Sequence, residues 1–224
     1  GDFSSLNAES IIALNPDFVI LTGSSSGRGG GVAQTELADT LTAANIPVAY
    51  FKVTTFDDYL RMLRTCCDIT GDEQAYAENG QDPADRIAEI CAKTEGKQAG
   101  SAVVLTTYSG GTRVQSSSTQ TGTMLADLGA RNIADSDKGL LSDYSIEALI
   151  QDNPQTIFLL PMGNSDESAQ QALAEQTTQN PAWAQLDAVK NDRVVTLDSQ
   201  LFQYKPNAQW DQAYQVLFDA LYGE

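Results

Sequence analysis

The chain has 224 residues, 42% of them apolar and 19% charged, which is enough apolar material for a buried core and excludes global disorder. Thirteen basic against thirty acidic side chains leave a net charge of −17, which repels phosphate backbones and excludes nucleic acid as a natural partner. Histidine is absent, so Ser-His-Asp and Cys-His catalysis and imidazole metal sites are excluded, and no apolar run approaches the roughly 20 residues that cross a bilayer.

The first predicted element is a short amphipathic helix over Leu6 to Leu14, with Asn7 as its N-cap and Asn15-Pro16 ending it. Asp17 to Thr22 is a continuous apolar run of the kind found in buried parallel strands, and it empties into the Gly/Ser-rich stretch 23–31. A helix carrying Leu37, Leu41 and Ala44 follows, then a strand from Val48 to Val53. That order predicts a parallel βαβ unit. From Phe56 to about Lys97 no strand signal appears, and the segment reads as helical, with Asp82-Pro83 positioned to kink it.

Alternation resumes with a strand over Ala102 to Tyr108, a polar loop to Gly122, and a helix holding Met124, Leu125 and Leu128. A short helix over Ile146 to Ile150, a strand over Thr156 to Leu160 and helices near Ala169 and Pro181 come next. The last strand is Arg193 to Leu197, and Ala208 to Tyr222 is a terminal amphipathic helix. The fold class is therefore α/β: two Rossmann-like lobes with parallel sheets, joined by a long linking helix. The boundaries are residues 1–70 for the N-terminal lobe, 71–98 for the linking helix and 99–224 for the C-terminal lobe.

Three cysteines, Cys66, Cys67 and Cys91, form no CxxC pair and read as small buried hydrophobes; a helix running through from Asp68 to Cys91 would hold them far apart. Gly23-Ser24-Ser25-Ser26-Gly27 satisfies G-x-S-x-G after a strand, yet no histidine exists to take the serine proton. The same loop lacks the Lys of a P-loop. It is either a flexible connection or the lining of a crevice at the carboxyl end of its strand, with Ser24, Ser25 and Arg28 as the lining residues. Tyr108 to Arg113 has the same character, and Arg113 takes a position equivalent to that of Arg28. Ser199 to Lys205 follows the last strand, where Gln200, Phe202 and Tyr204 are either core residues or a ligand platform. Two guanidiniums at strand ends suit a ligand bearing carboxylates.

Four segments together carry a family resemblance. Leu6-Asn7-Ala8-Glu9-Ser10-Ile11-Ile12-Ala13-Leu14-Asn15-Pro16-Asp17-Phe18-Val19-Ile20 resembles the N-E-x-I-x-x-L-x-P-D-x-V-I signature of substrate-binding proteins of iron-siderophore, haem and cobalamin ABC importers. Gly122 to Ala134 is similar to that family's G-x-L-L-x-x-L-G-G-x-N-V-A, and Tyr144 to Pro154 to its S-x-E-x-L-x-x-x-N-P-D, with Gln155 in place of the usual Asp. Trp183 to Val194 is similar to W-x-x-L-x-A-V-K-N-G-R-V.

The resemblance implies an extracytoplasmic protein, periplasmic or lipid-anchored at the cell surface, that clamps a metal chelate between two lobes and delivers it to an ABC permease. It implies no catalysis, no intrinsic cofactor and no directly bound metal; the chelate is cargo, and the protein is expected to act as a monomer. Glu9 and Glu147 fall on the two positions that dock onto permease arginines in that family. Family members carry a further segment before the glutamate motif, so the N-lobe is expected to be incomplete. The absence of histidine directs the cargo towards a ferric siderophore, haem or a corrinoid, with Tyr108, Tyr204 or Met162 as axial donors were it haem. The arginines favour an anionic ferric siderophore. The competing readings are a cell-surface interaction or sensing module and a carboxylate-dependent α/β enzyme.

Overall fold

A computed structural model describes residues 7–22, 34–108, 111–142, 144–162 and 179–223, with residues 171, 173–175 and 177. The chain forms two compact units, residues 1–66 and 67–224.

The first unit is the expected βαβ arrangement. Strand β1 (Val19–Leu21) pairs in parallel with β2 (Val48–Tyr50), Val19 opposite Val48 and Leu21 opposite Tyr50. Helix α2 (Gln34–Ala43) connects them and buries Leu37, Ala38 and Leu41 with Leu21 and Ile46. Helix α1 (Ala8–Ala13) adds Ile11 and Ile12 to that cluster, and Asn7 caps it by accepting the Ser10 N–H at 2.7 Å. Ile20, on the opposite pleat of β1, stays 55% exposed.

Helix α3 (Phe56–Thr70) starts at a reciprocal cap: the Asp58 carboxylate accepts the Thr54 and Thr55 N–H groups at 2.9 and 3.0 Å, and Thr55 Oγ1 accepts the Asp58 N–H at 3.1 Å. These hydrogen bonds, Thr55 N–H first, hold the Asp58 carboxyl below its ordinary value against the opposing effect of burial. The unit boundary falls inside α3, between Cys66 and Cys67.

Within residues 71–98 the helical run covers residues 73–92 and is set off from α3 at Gly71 and Asp72. At Gly71 (φ +73) the backbone turns left-handed, and the Gly71 and Asp72 N–H groups both reach the Cys67 carbonyl. Asp72 then caps α4 (Glu73–Tyr76), which passes through a widened π-type turn (Ala77–Gln81) into α5 (Asp82–Ala92). Pro83 lies at the start of α5, where its missing N–H costs nothing, so the expected kink takes the form of the wide turn before it. Far from bridging open space, α5 packs along the terminal helix α11 (Trp210–Tyr222). Ile87 and Ile90 are buried, and Arg86 Nε donates to Asp211 Oδ2 at 2.6 Å. The Lys97 ammonium lies 5.4 Å from the Phe218 ring centre and 5.5 Å from that of Tyr222. All three cysteines are thiols, and burial followed by the Asp127 charge pushes Cys91 up.

The second unit is built on a five-stranded sheet. Strand β3 (Ser101–Tyr108) is central, with β6 (Thr156–Pro161) parallel to one edge and β7 (Val194–Thr196) parallel beyond it. Two strands share the other edge of β3: antiparallel β4 (Gly111–Gln115) opposite Val104–Tyr108, and parallel β5 (Arg131–Asn132) opposite Ser101–Ala102. The predicted polar loop after Tyr108 is thus a hairpin. On one face Val103, Leu105, Val114, Ile157 and Leu159 pack with Ile133, Leu140, Leu149, Trp183 and Leu186. The opposite face carries Ala102, Val104, Phe158 and Leu160, also buried. Burial on both faces explains why β3 and β6 read as continuous apolar runs.

Further helices are α6 (Gln120–Asp127), α7 (Lys138–Ser142), α8 (Ile146–Asp152), α9 (Asp187–Lys190) and α10 (Ser199–Phe202). Gly122 in α6 admits no side chain, since a Cβ there would lie 2.1 Å from the Ser116 carbonyl oxygen. Among the described residues no helix is long and apolar enough to cross a membrane.

Candidate functional site

The three parallel strands β3, β6 and β7 end on the same side of the second unit, at Tyr108, Pro161 and Thr196. The Met162 N–H reaches the Thr107 carbonyl and the Leu197 N–H the Leu159 carbonyl, each at 2.7 Å. The β3–β4 hairpin brings Arg113 back over Tyr108, with the guanidinium 5.1 Å from the ring centre. Arg113 is exposed and Tyr108 half-buried, so a cation rests on an aromatic face with its donors free towards solvent.

Behind them lies a polar layer. Gln115 Nε2 donates to Thr106 Oγ1 at 2.7 Å, and Gln115 Oε1 accepts from Thr119 Oγ1 at 3.0 Å. Thr119 also caps α6 by accepting the Gly122 N–H at 3.2 Å. Gln120, buried, donates through Nε2 to the Leu201 carbonyl at 3.1 Å and accepts from Lys205 Nζ at 3.0 Å. One amide therefore ties the segment after β7 to the start of α6 and fixes a second cation at this end of the sheet.

The residues singled out from sequence fall in different surroundings. Gln200 is exposed at the start of α10, its N–H and that of Leu201 held by Asp198 Oδ1 at 2.8 and 3.3 Å. Phe202 takes the core role of the two left open: 4% exposed, its ring belongs to the packing of the unit. Tyr204 is 53% exposed. Ser24, Ser25 and Arg28 lie outside the described residues. Their stems are held, because Gln34 Oε1 accepts both the Thr22 N–H at 2.7 Å and Thr22 Oγ1 at 2.8 Å.

Sequence reasoning missed Gln34 and Gln120 as structural anchors and left Lys205 without a role. Gln120 carried a readable signal, since it continues the apolar stripe of Met124, Leu125 and Leu128 and so had to face inward. Among the described residues no group of three or more His, Cys, Asp or Glu side chains is placed to hold a metal ion.

Glu9 and Glu147 are each exposed in the first turn of their helices, α1 and α8. The Glu147 carboxyl is held below its ordinary value by its own backbone N–H and then by the Ser145 hydroxyl, against a smaller effect of desolvation. Beside it the buried Tyr144 phenol is pushed up to about 12, by burial first and the Glu147 charge second, and stays protonated.

A family profile described as "Periplasmic binding protein" matches residues 1–201. No curated protein matches the chain. Among solved structures, IsdE of S. aureus complexed with heme is 19% identical, with 98% of this chain and 82% of that one covered at a TM-score of 0.74. The periplasmic vitamin B12 binding protein BtuF of Vibrio cholerae is 19% identical, covering 98% and 79% at a TM-score of 0.75. A structure from an ABC-type Fe3+-hydroxamate transport system of Saccharomonospora viridis is 21% identical, covering 98% and 74% at 0.67. At these identities the likeness is one of fold.

Proposed function

Because the chain belongs to the periplasmic binding protein family, we propose that it is the extracytoplasmic receptor of an ABC importer, capturing an anionic metal chelate and delivering it to the permease. It binds and does not catalyse. The observation that carries the choice of cargo is the exposed Arg113 guanidinium lying over the Tyr108 ring at the end of β3. In a chain of net charge −17 an exposed guanidinium at a strand end is a local exception that suits an anionic ligand. A guanidinium with free donors matches carboxylate, catecholate or hydroxamate oxygens in pairs, and the Tyr108 ring adds an apolar wall. The sequence holds no histidine, so no imidazole is present to take up a bare metal ion, and a chelated metal fits better. The fold neighbours named for heme, vitamin B12 and Fe3+-hydroxamate are consistent with cargo of this bulk. A ferric siderophore is the first choice, haem the second and a corrinoid the third.

Arg113, Gln200 and Tyr204 are assigned to contact with the cargo, as are Ser24, Ser25 and Arg28 from the sequence alone. Glu9 and Glu147 are assigned to docking on permease arginines. The test is titration of haem, cobalamin and several ferric siderophores, followed by absorbance and by tryptophan quenching. For an anionic chelate, Arg113→Ala and Arg28→Ala should each lower affinity about 10- to 150-fold, the worth of one charge-assisted contact. Affinities unchanged within about twofold in both variants would turn the assignment to a neutral corrinoid held by Tyr108 and Tyr204.

A further inference from the structure

Gln115 and Gln120 use both ends of their amides within the fold. Gln115 donates to Thr106 Oγ1 and accepts from Thr119 Oγ1, and Gln120 donates to the Leu201 carbonyl and accepts from Lys205 Nζ. Gln34 uses one end only. Its Oε1 accepts the Thr22 N–H at 2.7 Å and the Thr22 hydroxyl at 2.8 Å. A backbone N–H can only donate, so the amide oxygen must face Thr22 and the NH2 group must point away from it. Among the described residues nothing accepts from Gln34 Nε2, although the residue is only 7% exposed. Two N–H donors buried without an acceptor carry a desolvation cost that a methionine of about the same length would avoid. The amide stands at the carboxyl end of β1, on the first residue of the ten-residue helix α2. Strand β2 runs parallel beside it, the Phe51 N–H reaching the Leu21 carbonyl at 2.9 Å. Carboxyl ends of parallel strands are where open α/β sheets place their ligands.

We propose that Gln34 is a cargo-binding residue of the first unit, its NH2 group donating to an oxygen acceptor on the rim of the chelate, such as a carboxylate, hydroxamate or catecholate oxygen. The inference deepens the receptor reading above and rests on it. Two bonds from Thr22 hold the amide in one orientation before cargo arrives, so little side-chain freedom is left to lose on binding. The donors are neutral. Gln34 therefore selects for oxygen acceptors whatever the net charge of the chelate, where Arg113 selects for negative charge.

The experiment titrates the full chain with a ferric trihydroxamate, a ferric tricatecholate, haemin and cyanocobalamin by tryptophan quenching, and melts each variant by circular dichroism. Gln34→Glu keeps an oxygen for Thr22 and replaces the NH2 group with a second oxygen. It should melt near the parent and bind the probe that the parent prefers about 10- to 150-fold more weakly at pH 8. The ratio of variant to parent affinity should rise at pH 5, where a protonated carboxyl regains one donor. Thr22→Val removes part of the tether but neither donor, and should lower affinity less than Gln34→Glu does despite a larger fall in melting temperature. Gln34→Glu binding within about twofold of the parent at both pH values would overturn the inference. So would affinities that merely track melting temperature across Gln34→Glu, Gln34→Met and Thr22→Val, which would leave Gln34 a structural tie. If the parent binds none of the four probes, the receptor reading falls and this inference with it. If Arg113→Ala weakens binding while Gln34→Glu does not, the receptor reading stands and only the role of Gln34 is overturned.

Discussion

Replacing Arg193 tests whether one side chain binds two strands to the terminal helix. Arg193 precedes β7, and its Nε lies 3.2 Å from the Gln155 carbonyl and 3.1 Å from Thr156 Oγ1. Its Nη2 lies 2.9 Å from the same hydroxyl and 3.3 and 3.0 Å from the carbonyls of Ala220 and Leu221, in the last turn of α11. Nε carries one hydrogen and Nη2 two, so these five approaches share three hydrogen bonds. A bond from a charged donor is worth about 1.5–3 kcal/mol when buried; half-exposure reduces each to about 1, or about 3 kcal/mol in all. Arg193→Ala should therefore lower the Tm by about 6–12 °C, on the scaling for a unit of this size. Arg193→Lys keeps a positive charge beside the helix carbonyls but not the planar fork, and should recover about a third of the loss. Urea unfolding followed by tryptophan fluorescence isolates the effect, because Trp183 and Trp210, the two tryptophans of the chain, are both buried in the second unit. A loss under about 1 kcal/mol for Arg193→Ala, with an unchanged denaturant slope, would refute the reasoning.

Gly122→Ala should destabilise the same unit by about 2–3 kcal/mol, because the new methyl meets the backbone of Ser116 and Ser117, against a helix-propensity gain of about 1; a variant as stable as its parent would show that the turn yields. The Asp58 carboxyl is lowered by folding, so its stabilisation is present above the ordinary value of 3.8 and is lost as pH falls through the lower folded value. Asp58→Asn should flatten the acid limb of a circular-dichroism melt series, and an unaltered limb would remove the cap from the account. Cys91, raised by burial and by Asp127, should react with iodoacetamide at pH 8 more slowly in the native protein than in urea, and equal rates would contradict its environment.

How much could be read from the chain in advance depended on how many faces each element buries. Strands β3 and β6 are covered on both sides and announced themselves as unbroken apolar runs, and the βαβ order around Leu37 and Leu41 was equally plain. Strand β4 was not, because only Val114 of its five residues is buried and Arg113 and Gln115 look outward or into the polar layer. The segment 71–98 was recognised as helical, but not that it is set off from α3, since Gly71 is a single residue whose left-handed conformation becomes decisive only with Asp72 ready to cap the next helix. At the site, strand-end reasoning led to Arg113 and to the stretch containing Lys205. It could not foresee that Gln120 holds that stretch, since its bonds to Leu201 and Lys205 depend on helix α6 and the segment after the last strand meeting in three dimensions.

The bond between Thr22 and Gln34 has a consequence for how such a protein can change. Thr22 and Gln34, which flank residues 23–33, are fastened to each other by one buried amide. Lengthening a segment tethered in this way is cheap, about 0.6 kcal/mol for each doubling. Mutation can therefore rewrite residues 23–33, insert into them or shorten them while β1 and α2 keep their alignment. That separation of a fixed frame from a variable span is a route by which one architecture can exchange one cargo for another without refolding.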